Sequence, residues 1–126
     1  VDEAESILGQ VRLADKHAAT AASLPHGDQR KLEVALLIAL DPKVFMFDEP
    51  TAGMSVDEVP VILDLIRELK AQKKHTILLV EHKMDVVREL ADRIIVLHQG
   101  QLVADGEPAA VIASKLVQNA YLGVAP

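Results

Sequence analysis

The stretch Val44-Phe45-Met46-Phe47-Asp48-Glu49-Pro50-Thr51-Ala52-Gly53 decides how this chain folds, because four apolar residues run straight into two adjacent carboxylates and then a proline. A short, continuously apolar run of β-prone residues predicts a strand covered on both faces, as in a parallel sheet with helices above and below. Pro50 marks its end. In open α/β sheets ligands sit just beyond the carboxyl ends of the strands, so Asp48 and Glu49 fall where phosphate and metal chemistry takes place. Taken alone, an Asp-Glu-Pro run reads equally well as a solvated strand end.

Outward from that strand, the pattern alternates. Residues 57–72 put Val59, Ile62, Leu63, Ile66 and Leu69 on one stripe, which predicts an amphipathic helix with Pro60 in its first turn. Thr76-Ile77-Leu78-Leu79-Val80 reads as a second buried strand ending at Glu81-His82, residues 85–91 as a short helix, and 93–98 as a third strand. Gln99-Gly100 is a two-residue turn into 101–106, and helical segments follow over 108–114 and 115–121. Strand, helix, strand, helix, strand implies a parallel sheet with right-handed crossovers. Before the central strand, 3–13 and 15–22 read as helices, 24–30 as a loop by its Pro and Gly, and 31–40 as a helix apolar almost all round and so buried on most sides. Asp41-Pro42 ends it.

The bulk numbers narrow the function. The chain has 126 residues, half of them apolar, so it is one domain or part of one with a core built from Val, Ile, Leu and Ala, since aromatics are only 2%. A net charge of -6 with scattered Lys and Arg argues against nucleic-acid binding. No apolar run approaches the about 18 residues of a membrane span, and the acidic start does not read as a signal peptide, which predicts a soluble chain. With no cysteine, disulfides and thiolate metal sites are excluded, in keeping with the cytosol. His17, His26, His75 and His98 are scattered and read as surface residues, His26 excepted.

Four features then stand in one order: a Leu-x-x-Gly-x-Gln loop at Leu24 to Gln29, the strand ending in Asp48-Glu49-Pro50, the Thr51-Ala52-Gly53-Met54-Ser55 segment, and a later strand ending in Glu81-His82. Together they resemble the ATP-binding-cassette ATPases. Gly27 precedes Asp48 by 21 residues and Glu49 precedes His82 by 33, both close to the family spacing. The resemblance implies an α/β fold of the P-loop NTPase type: a partial parallel sheet flanked by helices, residues 1–40 belonging to a helical signature subdomain and 41–126 to the carboxyl-terminal part of the ATPase core. The sequence carries no Gly-x-x-x-x-Gly-Lys-Ser/Thr loop, so the phosphate-loop half is expected to be missing. Glu81-His82-Lys83-Met84, Ala91-Asp92-Arg93-Ile94, Gln99-Gly100, Ala104-Asp105-Gly106-Glu107-Pro108 and Tyr121-Leu122-Gly123 look like the ATP-binding subunits of importers for branched-chain and other hydrophobic amino acids; urea or amide importers of the same branch look much the same.

What the resemblance implies for single residues is specific. Asp48 is expected to help hold Mg²⁺, Glu49 to be the base that polarises the attacking water, and His82 to be the switch histidine at the γ-phosphate. Pro25, His26, Gly27, Asp28 and Gln29 stand at the signature loop, whose helix start grips ATP held by a second subunit. Pro25 in the usual Ser position removes a hydroxyl donor, and Asp28 in place of Gln or Glu is expected to put negative charge near a polyanion. Gly53, Met54 and Ser55 match the loop that couples the two sites across the dimer, with Ser55 in place of Asp; a plain strand-to-helix connection capped by Ser55 is the equal alternative. The cofactors implied are ATP and Mg²⁺. The partners implied are membrane permease subunits, a second ATPase subunit and, indirectly, a periplasmic or extracellular binding protein, with the chain held at the inner face of the cell membrane and nucleic acid excluded. The parent protein is expected to be an ATPase and this piece alone inactive. The rival readings are a non-transport ATPase of the same superfamily, acting in DNA repair or translation, and a non-catalytic fragment that self-associates.

Overall fold

A computed structural model describes residues 2–122. The chain divides into two compact units with the boundary between Glu81 and His82, inside the segment 41–126 that the sequence reads as one.

In the first unit, α1 (Asp2–Gln10) ends three residues short of expectation, because Arg12 adopts a left-handed φ of 61° and turns Val11 and Leu13 into the core. The helix expected over 15–22 is replaced by two single turns of tighter helix, Ala14–Lys16 and Ala21–Ser23. Residues 17–23 are all exposed, so no apolar stripe is buried to hold a longer helix. In contrast, α2 (His26–Leu40) starts five residues before the expected 31. Pro25 is its N-cap: its carbonyl accepts the Gln29 N–H at 3.0 Å, and a helix entry has no use for the N–H that proline lacks. Asp41 closes α2 in the left-handed conformation at φ 45°, with Pro42 behind it. The expectation that this helix is buried on most sides is corrected: it buries Gly27, Asp28, Val34 and Ala35, while Leu36 and Leu40 face solvent.

The central strand is where the sequence put it. β1 (Val44–Asp48) pairs in parallel with β2 (Thr76–Val80), with Val44 opposite Thr76 and Asp48 opposite Val80. A parallel pair needs a crossover, and α3 (Val59–Ala71) supplies it, burying Ile62, Leu63, Leu65, Ile66 and Leu69. Covering on both faces is not observed. Phe45 is 1% exposed and Met46 70%, so β1 alternates, its inner rings Phe45 and Phe47 stacking at 6.0 Å while Val44 and Met46, with Leu78 and Val80 of β2, form an uncovered row. His75 is not a surface residue: its side chain is 4% exposed, its ring meets Phe45 edge-on at 4.9 Å, and Nδ1 lies 3.0 Å from the Pro42 carbonyl.

The second unit holds α4 (Met84–Leu90), β3 (Ile94–His98), β4 (Gln101–Gly106), α5 (Pro108–Ala113) and α6 (Lys115–Leu122). The third strand does not extend a parallel sheet; among the described residues β3 pairs antiparallel with β4, and the two ladders are separate. The antiparallel pairing is local in origin: Gln99 and Gly100 take φ values of 51° and 75°, the two positive values a tight hairpin turn demands, so the chain folds straight back. Ile94, Val96, Val111 and Val117 form the core of this unit. The subfamily-like motifs fasten it: Arg93 makes a bidentate pair with Asp105, both bonds 2.7 Å, and the Tyr121 hydroxyl donates to the Leu97 carbonyl at 2.7 Å. Gly123 lies outside the described residues.

The alternation of β1 sets a contrast measurable by urea unfolding. Phe45→Ala empties a buried site and is expected to cost about 3–5 kcal/mol, whereas Met46→Ala on the uncovered face is expected to stay within about 0.5 kcal/mol.

Candidate functional site

The β1–β2 ladder fixes what meets at its carboxyl end. Asp48 sits last on β1 and shares the uncovered face with Val44 and Met46, so its carboxylate is exposed. Glu49 follows with its N–H bonded to the Val80 carbonyl at 2.8 Å, which carries the ladder one step past the strand. Its φ of 46° is unusual for a residue with a side chain and turns the chain sharply; Pro50 and Thr51 are then buried. Thr51 is 1% exposed and its hydroxyl donates to the Glu81 carboxylate at 3.3 Å, tying the segment after β1 to the end of β2. Asp48, Glu49 and Glu81 therefore stand at one end of the same two strands. His82 is exposed and opens the second unit, two residues after β2.

This donor set suits a hard cation only in one way. Among the described residues no three His, Cys, Asp or Glu side chains form a metal-holding group. One or two carboxylates at a strand end fit Mg²⁺, which keeps several waters and takes its remaining oxygens from phosphates, and do not fit a metal that needs a full protein cage.

The loop at 24–29 is a helix start. Pro25 offers no capping hydroxyl, and among the described residues no side chain caps α2. Gln29 turns back so that Nε2 donates to the Leu24 carbonyl at 3.1 Å. Asp28 overturns its expectation. Its carboxylate is buried, bonded to the Lys16 ammonium and to Lys31 Nζ at 3.1 Å, so it does not present a bare negative charge at the helix start. The hydrogen bond from Lys16, followed by Lys31, holds the Asp28 carboxyl below its ordinary 3.8 despite the opposing effect of burial. Lys31 was readable as an i,i+3 partner, but Lys16 lies 12 residues away on a separate turn and left no signal in the sequence.

The loop at 53–55 lies against this helix start. Gly53 has φ 73°, and a Cβ there would meet His26 Nε2 at 3.2 Å, while His26 Nε2 lies 3.4 Å from the Ala52 carbonyl. Ser55 donates its N–H to Glu58 at 3.1 Å, but α3 has Glu58 as its N-cap and no side-chain capping bond, so the cap by Ser55 weighed for this loop is not what the structure shows. The contact of Glu58 with Gly27, described below, was not foreseen.

The Asp28 cluster yields a pH-dependent test. Because the folded value is depressed, its contribution is complete above 3.8 and is lost as pH falls through the lower folded value. Asp28→Ala is expected to lower urea stability by about 1.5–3 kcal/mol at neutral pH, and the gap to the parent to shrink as pH is taken below the ordinary carboxylate range.

Comparison with known proteins bears on this arrangement. The profile of the family described as ABC transporter matches residues 1–52. The high-affinity branched-chain amino acid transport ATP-binding protein LivG of Escherichia coli (strain K12) is 38% identical over 125 residues, covering 99% of this chain and 49% of LivG. The corresponding protein BraF of Pseudomonas aeruginosa is 37% identical over 118 residues, covering 94% and 46%. A crystal structure of the ADP conformation of an ATP-binding cassette of an ABC transporter superposes with TM-score 0.82 at 30% identity, over 98% of this chain and 50% of that one. The chain thus spans about half the length of the curated relatives it matches. With the strand-end acids, the Gly27 helix start and these likenesses in agreement, the chain belongs to the ATPase domains of the ABC transporter family.

Proposed function

We propose that this chain is the carboxyl-terminal part of an ATP-hydrolysing subunit that energises the uptake of branched-chain or similar hydrophobic amino acids. The observation that carries the reading is the parallel β1–β2 pair, which delivers Asp48 and Glu49 side by side at its carboxyl end, in a chain whose relatives LivG and BraF are named for branched-chain amino acid transport. In this reading Asp48 is a ligand of Mg²⁺, and Mg²⁺ when bound neutralises phosphate oxygens of ATP. Glu49 orients and polarises the attacking water, and the left-handed turn at its Cα, with the N–H anchored to Val80, limits where its carboxylate can go. His82 contacts the γ-phosphate. Pro25, His26, Gly27 and Gln29 face ATP of a second subunit, with Asp28 turned inward among Lys16 and Lys31 to fasten that helix start and Gly53, Met54 and Ser55 beside it. Permease subunits and a binding protein complete the transporter and hold the subunit at the membrane; among the described residues no helix is long and apolar enough to cross one.

In an intact subunit carrying this sequence, Glu49→Gln is expected to reduce ATP turnover by about 10²–10⁴-fold while ATP affinity is retained. Turnover within a few-fold of the parent would overturn the assignment. Self-association of the 126-residue chain is a second reading, favoured by the uncovered row Val44, Met46, Leu78 and Val80. Light scattering after size exclusion is expected to give a mass above one chain, and a clean monomer at high concentration contradicts it.

A further inference from the structure

The proposed function, on which this inference rests, needs the first turn of α2 to meet a phosphate, yet Gly27 in that turn is buried. What covers it is the side chain of Glu58. A Cβ on residue 27 would fall inside the Glu58 carboxylate, overlapping both oxygens and Cδ, so only glycine leaves that carboxylate room to lie on the helix start. The placement is held from the other side: Glu58 Oε2 accepts the Ser55 N–H at 3.1 Å, and the Glu58 N–H donates to the Ser55 carbonyl at 3.1 Å. A second tie runs parallel, from His26 Nε2 to the Ala52 carbonyl at 3.4 Å. The other carboxylate of this region, Asp28, is turned inward and matched by Lys16 and Lys31. Glu58 is thus the carboxylate that lies against Gly27 outside the Lys16–Asp28–Lys31 cluster, where a phosphate brought to this turn meets like charge as well as bulk.

We propose that Glu58 is a self-blocking carboxylate: it lies over Gly27 at the start of α2, must swing away before phosphate engages that turn, and so couples the segment 51–58 to the phosphate-facing helix. Engagement of phosphate and release of the Ser55 amide then go together, because one carboxylate serves both contacts. Glu58 is a positioning residue and takes no part in bond making.

Two substitutions separate its charge from its bond to the Ser55 amide. Glu58→Gln keeps an oxygen for the Ser55 amide and removes the charge; Glu58→Asp keeps the charge and withdraws it by one methylene. The probe is inorganic tripolyphosphate, titrated into the isotope-labelled full chain while the backbone amides of Gly27, Asp28 and Gln29 are followed by NMR. Glu58→Gln is expected to bind at about tenfold lower concentration than the parent, and Glu58→Asp at an intermediate one, as removal or retreat of one like charge requires. Equal titration of parent and Glu58→Gln, or no response in Glu58→Gln, reduces Glu58 to a helix cap and overturns the proposal. If Glu58→Gln loses the parent's spectral dispersion, the Glu58→Asp titration decides by the same criterion. The outcome is distinct from failure of the proposed function, which is read from Glu49→Gln turnover: unchanged titrations with turnover abolished by Glu49→Gln remove the block and leave the function standing.

Discussion

The structure of the first unit depends on one ladder, the parallel pairing of β1 with β2. Its register is fixed by which residues of β1 are buried: a one-residue slip would expel Phe45 and Phe47 and bury Met46 and Asp48 instead. With the register set, everything at the carboxyl end follows. Asp48 must lie opposite Val80, the Glu49 amide must find the Val80 carbonyl, and Thr51 comes within reach of Glu81. The acids are therefore placed by aromatic packing on the opposite face, several residues from the chemistry they are proposed to serve.

The start of α2 is built by a different balance. Its N-terminal turn offers unbonded amides, and the chain brings two carboxylates toward it. Asp28 is taken inward, where Lys16 and Lys31 compensate the cost of burying it; Glu58 stays above Gly27, held by a backbone amide. The same two residues thus differ in role because of their partners: one fastens the turn from below and the other covers it. The second unit is held chiefly by its hairpin, and the motif residues Arg93, Asp105 and Tyr121 act there as fasteners rather than as chemistry.

What was legible in the sequence was whatever is written in neighbouring residues. The four strands, the Gln99-Gly100 turn and the stripe of α3 were visible because apolar runs, turn residues and helical spacing are local signals. The sequence misjudged coverage, since an unbroken apolar run reads the same whether one face or two are buried, and it started α2 late, because Pro25 and Gly27 look like loop residues when the proline is in fact the cap. The third strand was assigned to the parallel sheet on the alternation of strands and helices alone, a pattern that does not tell a strand joining the first ladder from one paired only with its hairpin partner. In the candidate site the identities of Asp48, Glu49 and Gly27 were readable from their order. The contacts from Lys16 to Asp28 and from Glu58 to Gly27 join residues 12 and 31 positions apart and exist only once the chain is folded.

Asp48 and Glu49 are proposed to address a single triphosphate from the end of β1, and a crystal structure of an intact subunit carrying this sequence, with Glu49→Gln and bound ATP and Mg²⁺, tests that most directly. It is predicted to show Asp48 linked to the metal directly or through one water, residue 49 facing the terminal phosphate, and the β1–β2 register unchanged. Nucleotide and metal bound elsewhere, with Asp48 and residue 49 contacting neither, would contradict it.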